Sequence, residues 1–279
     1  MLIIVGSNNM KKFFITIAAC ALLCSCTQEW GELETITYPI DKPYTELEVS
    51  DAFVVEGYTR NEYSRPGGAI VTVGSKAQSK VKVEVRNGRL YIGLRSGKFD
   101  RGGEVARVRL PKDELDKLTK LVLREASKTE YGNMIFLRDI VLQDASSCGT
   151  TIMAGYNEEH VLEGEFNLTA SGASTFSSQI FISNINVTLS GASSVRLNGR
   201  ECEELKINVS DASTLDCSTL QSSSVSGSIK NASKADVTCC SSLSVDVADA
   251  SELVYKLLSP SCQLDFDCHW SGGSTVTEK

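Results

Sequence analysis

Leu205-Lys206-Ile207-Asn208-Val209-Ser210-Asp211-Ala212-Ser213-Thr214-Leu215-Asp216-Cys217 sets an apolar residue at every second position on either side of Asp-Ala-Ser. Alternation of that kind is the period of a β-strand, and Asp, Asn and Gly are residues that stabilise or tolerate a tight corner. The pattern recurs. Xaa-Ala-Ser stands at Glu125-Ala126-Ser127, Asp144-Ala145-Ser146, Gly172-Ala173-Ser174, Gly191-Ala192-Ser193, Asp211-Ala212-Ser213, Asn231-Ala232-Ser233 and Asp249-Ala250-Ser251. The alanines are separated by 19, 28, 19, 20, 20 and 18 residues. A short unit of strand, corner and strand repeated at this interval predicts an all-β chain wound as a parallel β-solenoid, with 19–20 residues per coil. At about 3.3 Å per residue such a coil has a perimeter of roughly 65 Å, and coils stack about 4.8 Å apart.

Stacking in register makes two ladders at the corner. The alanines are expected to fill an interior that narrows there, where a larger side chain would collide with its stacked copies. The serines are expected to hydrogen-bond from coil to coil and to satisfy backbone groups, a structural role rather than a ligand site.

Upstream, Met10-Lys11-Lys12 precedes an apolar run from Phe13 to Leu23 that ends in Leu23-Cys24-Ser25-Cys26. A basic start and an apolar stretch too short to span a bilayer describe an export signal. The Leu-Cys-Ser-Cys ending resembles a bacterial lipoprotein signal, which implies cleavage after Ser25 and acylation of Cys26. Residues 1–9 add nothing to the signal, so Met10 competes with Met1 as the start. The expected organisation is a signal and anchor over 1–26, a linker over 27–35 and one solenoid domain over 36–279. Within that domain, 36–125 supply N-terminal strands and a hairpin, and 126–279 supply the repeats.

Charge is unevenly placed. The whole chain carries −7, and removal of Lys11 and Lys12 with the signal leaves −9. Residues 60–124 hold sixteen Lys or Arg against seven Asp or Glu, a balance of +9, so the rest of the mature chain carries −18. Export and overall acidity argue against nucleic acid, whereas a basic end attracts anionic surfaces.

The stretch before the repeats reads differently. Val81-Lys82-Val83-Glu84-Val85-Arg86-Asn87-Gly88-Arg89-Leu90-Tyr91-Ile92 alternates on both sides of Asn-Gly, a strong hairpin signal. These strands are expected to cap one end of the solenoid against edge-to-edge association. Leu47-Glu48-Val49-Ser50-Asp51-Ala52-Phe53-Val54-Val55, this hairpin, Val108-Arg109-Leu110-Pro111 and the serial Ser-Gly-Ala-Ser units together resemble the putative auto-transporter adhesin, head GIN domain family. The resemblance covers nearly the whole mature chain. It implies a right-handed parallel β-helix of pectin-lyase-like shape, in exported or lipid-anchored proteins of Bacteroides-like bacteria, with adhesion as the suggested role. The chain departs from the pattern in its Lys112 to Lys120 insertion, its 28-residue step and its many cysteines.

Catalytic motifs are sparse. Asp211 and Asp249, two coils apart at one corner, would lie about 10 Å apart, near the spacing of an inverting carboxylate pair. Asn231 and Gly191 occupy the same position in other coils, so it selects for turn formers. With only His160 and His269, no nucleophile elbow and no zinc-like spacing, neither metal nor cofactor is expected. Seven cysteines follow the anchor: Cys148, Cys202, Cys217, Cys239, Cys240, Cys262 and Cys268. Their odd number leaves one unpaired, and buried free thiols are the main expectation. Cys202 with Cys240, or Cys262 with a neighbour, are possible bridges between coils.

The 28-residue step is expected to project a loop, and Tyr156, Asn157, Glu158, Glu159 and His160 in it are the candidate binding residues. A second candidate is the outward strand face bearing Thr188, Arg196, Asn198, Lys206, Asn208 and Lys230. The function expected is non-catalytic: a lipid-anchored protein of the outer membrane, facing the periplasm or the cell surface, that binds a glycan or an envelope protein. A carbohydrate-active enzyme and a structural protein assembling through its ends are the alternatives.

Overall fold

The computed structural model describes residues 31–60, 68–95, 106–132, 134–148 and 162–279, less the side chains of residues 162 and 163. Its strands are β1 (Leu33–Pro39), β2 (Glu46–Val49), β3 (Val54–Tyr58), β4 (Gly68–Gly74), β5 (Val81–Arg86), β6 (Arg89–Leu94), β7 (Arg107–Pro111), β8 (Lys120–Leu123), β9 (Lys128–Thr129), β10 (Asp139–Leu142) and β11 (Ser147–Cys148). There follow β12 (Leu162–Ala170), β13 (Thr175–Ile180), β14 (Ile182–Leu189), β15 (Ser194–Val209), β16 (Thr214–Ile229), β17 (Lys234–Cys239), β18 (Ser242–Val247), β19 (Glu252–Leu257), β20 (Asp265–Phe266), β21 (His269–Trp270) and β22 (Thr275–Glu278). A single helical turn, α1 (Lys112–Leu115), lies between β7 and β8.

Parallel pairing stacks these strands into a β-solenoid. On the face that leads into the corner the order is β5, β6, β2, β8, β10, β12, β14, then the second parts of β15 and β16, then β18 with β20 and β21. On the face that leaves it, the order is β1, β4, β7, β3, β9, β11, β13, the first parts of β15 and β16, β17, β19 and β22. Leu205, Ile207 and Val209 from one face meet the interior with Val195, Leu197, Leu215 and Cys217 from the other, all buried. The register between neighbouring coils shifts between Gly199 and Cys202, where the chain turns from one face to the other. Close stacking also fixes a glycine: a Cβ on Gly227 would lie 1.8 Å from the Ile207 carbonyl oxygen.

The corner itself is a turn whose two central residues both have positive φ, as a type I′ turn requires. Asp211 and Ala212 stand at φ 59° and 60°, Asn231 and Ala232 at 58° and 56°, Gly191 and Ala192 at 65° and 63°. The serine N–H closes the turn on the carbonyl three residues back, as Ser213 does on Ser210 at 3.3 Å. Each corner is then bonded to the next. The alanine N–H donates to the carbonyl one coil on, from Ala52 to Glu125, Ala126 to Asp144, Ala145 to Gly172, Ala173 to Gly191, Ala192 to Asp211, Ala212 to Asn231, Ala232 to Asp249 and Ala250 to Gly272.

That ladder is longer than the repeat seen in the sequence. Asp51-Ala52-Phe53 is its first corner and Gly272-Gly273-Ser274 its last, so β2 and β3 are a coil of the stack rather than a separate covering layer. The corner alanines also differ from expectation. They are exposed, whereas the serines after them are buried. Two left-handed residues reverse the chain and the alternation restarts after them, so the serine is the one that turns inward. The first strand likewise reaches into the expected linker, since β1 begins at Leu33 and pairs with β4 along its length.

Candidate binding surfaces

Apart from the Ser127 hydroxyl, which is buried without a partner, the buried serine hydroxyls of the repeat corners are consumed by the fold. Ser146, Ser174 and Ser193 donate their hydroxyls to the carbonyls of Gln143, Ser171 and Ser190 at 2.6, 2.6 and 2.8 Å. Ser213, Ser233, Ser251 and Ser274 accept the N–H of the serine one coil before at 3.0–3.2 Å. On the outer side, Asp211 accepts from Asn231 at 2.8 Å and from the Ser210 hydroxyl at 3.1 Å. This is a row of turn contacts on a convex edge.

The outward residues proposed as one surface lie on two faces and a corner, because each coil bends between them. Thr188, Lys206 and Asn208 belong to the face leading into the corner, where Thr188, Asn208 and Ser228 are in register. Arg196 and Asn198 belong to the other face, and Arg196 is paired with Asp216 at 2.9 Å. Lys230 sits at the corner beside Asn231. Tyr156, Asn157, Glu158, Glu159 and His160 lie outside the described residues, as do Cys26 and the signal segment.

The thiols divide by position. Cys240 and Cys262 form a disulfide between successive coils, 22 residues apart. Cys148, Cys202, Cys217 and Cys239 are free and buried, and Cys268 is free and half-buried. Burial pushes the Cys148 and Cys217 thiols well up, Cys202 up to about 12 and Cys239 up to about 11. Thiols held protonated in this way are poor nucleophiles and poor metal ligands. Among the described residues, no group of three or more His, Cys, Asp or Glu is placed to hold a metal ion.

The two ends remain. At the N-terminal end β1 and β5 are, among the described residues, the outermost strands of the two faces, each paired antiparallel on one side only. Between them lies a cleft of about 330 Å³ lined by Tyr38, Val81, Val83 and Leu94 with Lys82, Glu84 and Arg95. It continues past Ile40, Lys42, Val85 and Arg86. Glu84 is shared by Lys82 at 2.5 Å and Arg86 at 2.8 Å, and Lys82 above all holds its carboxyl below the usual range. At the C-terminal end, Phe266 and Trp270 stack on Leu243 and Val247 of the previous coil, with no coil above them among the described residues. They are 42% and 55% exposed, so this end displays bare apolar surface. Tyr255 packs against Phe266 with ring centroids 5.7 Å apart, and its hydroxyl donates to Glu278 at 3.2 Å.

The profile of the putative auto-transporter adhesin, head GIN domain family matches residues 43–257, most of the chain. The chain belongs to that family. Solved structures agree on the fold. A protein of Parabacteroides merdae ATCC 43184 described as a putative adhesin is 13% identical, with a TM-score of 0.68 over 89% of this chain and 97% of its own. A putative adhesin of Parabacteroides distasonis ATCC 8503 is 17% identical, with a TM-score of 0.68 over 89% and 98%. A protein of the same organism described as a putative lipid binding protein is 16% identical, with a TM-score of 0.67 over 89% and 97%. No protein with a curated description matches the chain. The family match spans the hairpin, α1 and nearly all of the repeat, so the GIN-domain fold includes both the closed end and the stacked coils.

Proposed function

We propose that this GIN-domain protein is a non-catalytic lipoprotein of the outer membrane, held by an acyl group on Cys26, that acts by binding through its C-terminal end. The observation that carries the reading is the exposure of Phe266 and Trp270 on short strands that, among the described residues, pair only toward the stack. Aromatic side chains supply large contact area at low entropic cost, and open strand edges offer unpaired N–H and C=O groups. The descriptions of similar proteins as adhesins support a binding role in the cell envelope. The partner class is a glycan or an envelope protein.

The test is a glycan and envelope-protein array probed with the chain from Thr27 onward, which contains every described strand, beside its Phe266→Ala/Trp270→Ala variant. Specific capture that the double substitution abolishes is expected. Capture unchanged by it moves the contact elsewhere, with residues 156–160 next in line. A Cys26→Ser variant that loses metabolic acyl labelling is the companion result for the anchor. The same open edges favour one further reading, assembly of copies through their ends, which a concentration-dependent sedimentation coefficient would reveal. Turnover of any member of a polysaccharide panel would replace the binding reading with an enzymatic one.

A further inference from the structure

We propose that the N-terminal end of the solenoid is a lipid-facing surface that seats on an anionic bilayer. Two rows of apolar side chains face each other across that end, Tyr38 and Ile40 from the β1 side and Val83 and Val85 from β5. All are only partly buried, because no further coil covers them among the described residues. The rim is basic: Lys42, Lys82, Arg86 and Arg95 line the cleft, against Asp41 and Glu84. Counted with the acidic strands β1 to β3, residues 27–124 carry +2 while residues 125–279 carry −11, so the N-terminal part is the one an anionic surface attracts. Partly exposed apolar groups framed by Lys and Arg are the composition of a surface that rests in the headgroup region.

The point of entry of the chain agrees. Gly31 lies against Ser75 and Lys76, and the Ser75 N–H donates to the Glu32 carbonyl at 2.9 Å, so the segment before residue 31 starts from this end. From Cys26 to Gly31 the chain spans at most about 18 Å. The inference rests on the proposed anchor for the position of the bilayer, but the surface is testable without it.

The chain from Thr27, lacking any acyl group, is sedimented with phosphatidylcholine vesicles and with vesicles containing about 30% phosphatidylglycerol. At about 1 kcal/mol for each basic residue near the surface, each contributes roughly fivefold in partitioning. Binding to the anionic vesicles at least tenfold above the neutral ones is expected, with loss in high salt. Lys82→Gln/Arg86→Gln should lower it at least tenfold, while Lys256→Gln/Lys279→Gln at the other end should leave it within twofold. Circular dichroism and a thermal melt certify that each variant is folded. If Lys82→Gln/Arg86→Gln proves unfolded, Lys42→Gln replaces it and should lower binding about fivefold. Equal binding to both vesicles, or equal loss in the two variants, overturns the proposal. Vesicle binding without acyl labelling of Cys26 sinks the anchor alone, and labelling without vesicle binding sinks this surface alone.

Discussion

The two ends of this solenoid solve the same problem in opposite ways. A stack of coils must stop somewhere, and its last coil leaves both apolar side chains and strand edges without a partner. At the N-terminal end the chain folds back. β4 and β1 turn antiparallel on one face and β5 does so on the other, so Leu90, Ile92, Ala69 and Val71 are sealed. At the C-terminal end nothing folds back among the described residues. Phe266 and Trp270 simply lie on the coil beneath, and the disulfide between Cys240 and Cys262 ties the last coil to its neighbour. One end is thus closed by folded-back strands, with only the apolar rows of its cleft left partly open, and the other is tied by a covalent link and displays its aromatic rings. The lesson is that a repeat protein's specific chemistry is concentrated where the repeat is broken.

Substitutions at the two ends test that contrast most strongly. Leu90→Ala on β6 should cost about 2–5 kcal/mol, as truncation of a fully buried leucine does, and urea unfolding measures it. Trp270→Ala should cost about 1 kcal/mol or less, because over half of the ring is already in water. Similar losses at both sites would erase the distinction. Next comes the disulfide. In the chain-entropy description, closing a loop of 22 residues stabilises by about 3 kcal/mol. Cys240→Ser should therefore raise amide exchange over residues 257–279 while β1 to β7 keep their protection. Exchange that rises equally throughout would mean that the two ends unfold as one unit.

Mid-stack substitutions should affect neither end preferentially. Ser213→Ala leaves the Ser193 N–H without its hydroxyl acceptor, at a cost of about 1–3 kcal/mol in thermal or urea unfolding. Ala212→Gly should change stability by less than about 1 kcal/mol. Relief of left-handed strain at φ 60° then offsets the greater freedom of glycine in the unfolded chain. A large loss for Ala212→Gly would show that the exposed methyl group has a packing role after all.

Much of this architecture is legible in the sequence, and the parts that are not have physical causes. Alternation around Xaa-Ala-Ser revealed the coil because strand period and turn chemistry are local. The first corner escaped recognition as a member of the ladder because Phe53 replaces the serine and β4 to β8 intervene before Glu125. Yet Leu47-Glu48-Val49-Ser50-Asp51-Ala52 repeats the pattern of Ile207-Asn208-Val209-Ser210-Asp211-Ala212 position for position, and is the available signal. The last corner carries Gly273 in place of alanine. Which small residue faces inward was misread, since counting along a strand does not register that two left-handed residues reset the alternation. Disulfide pairing depends on coil register, which spacing alone leaves open. The exposed aromatic end was invisible because Phe266 and Trp270 occupy ordinary inward positions and become surface only where the stack stops.

The basic-rimmed end and the aromatic end imply one orientation of this rod on a bilayer. The corners from Ala52 to Gly272 make eight steps, about 38 Å at roughly 4.8 Å per coil, so the two ends are separated by far more than a headgroup layer. The most direct measurement is energy transfer from a fluorophore placed at residue 86 or residue 270 of the acylated protein to an acceptor dye in the headgroups of anionic vesicles. Strong transfer from position 86 and weak transfer from position 270 is the predicted result. Equal transfer from both, or the reverse order, would contradict it.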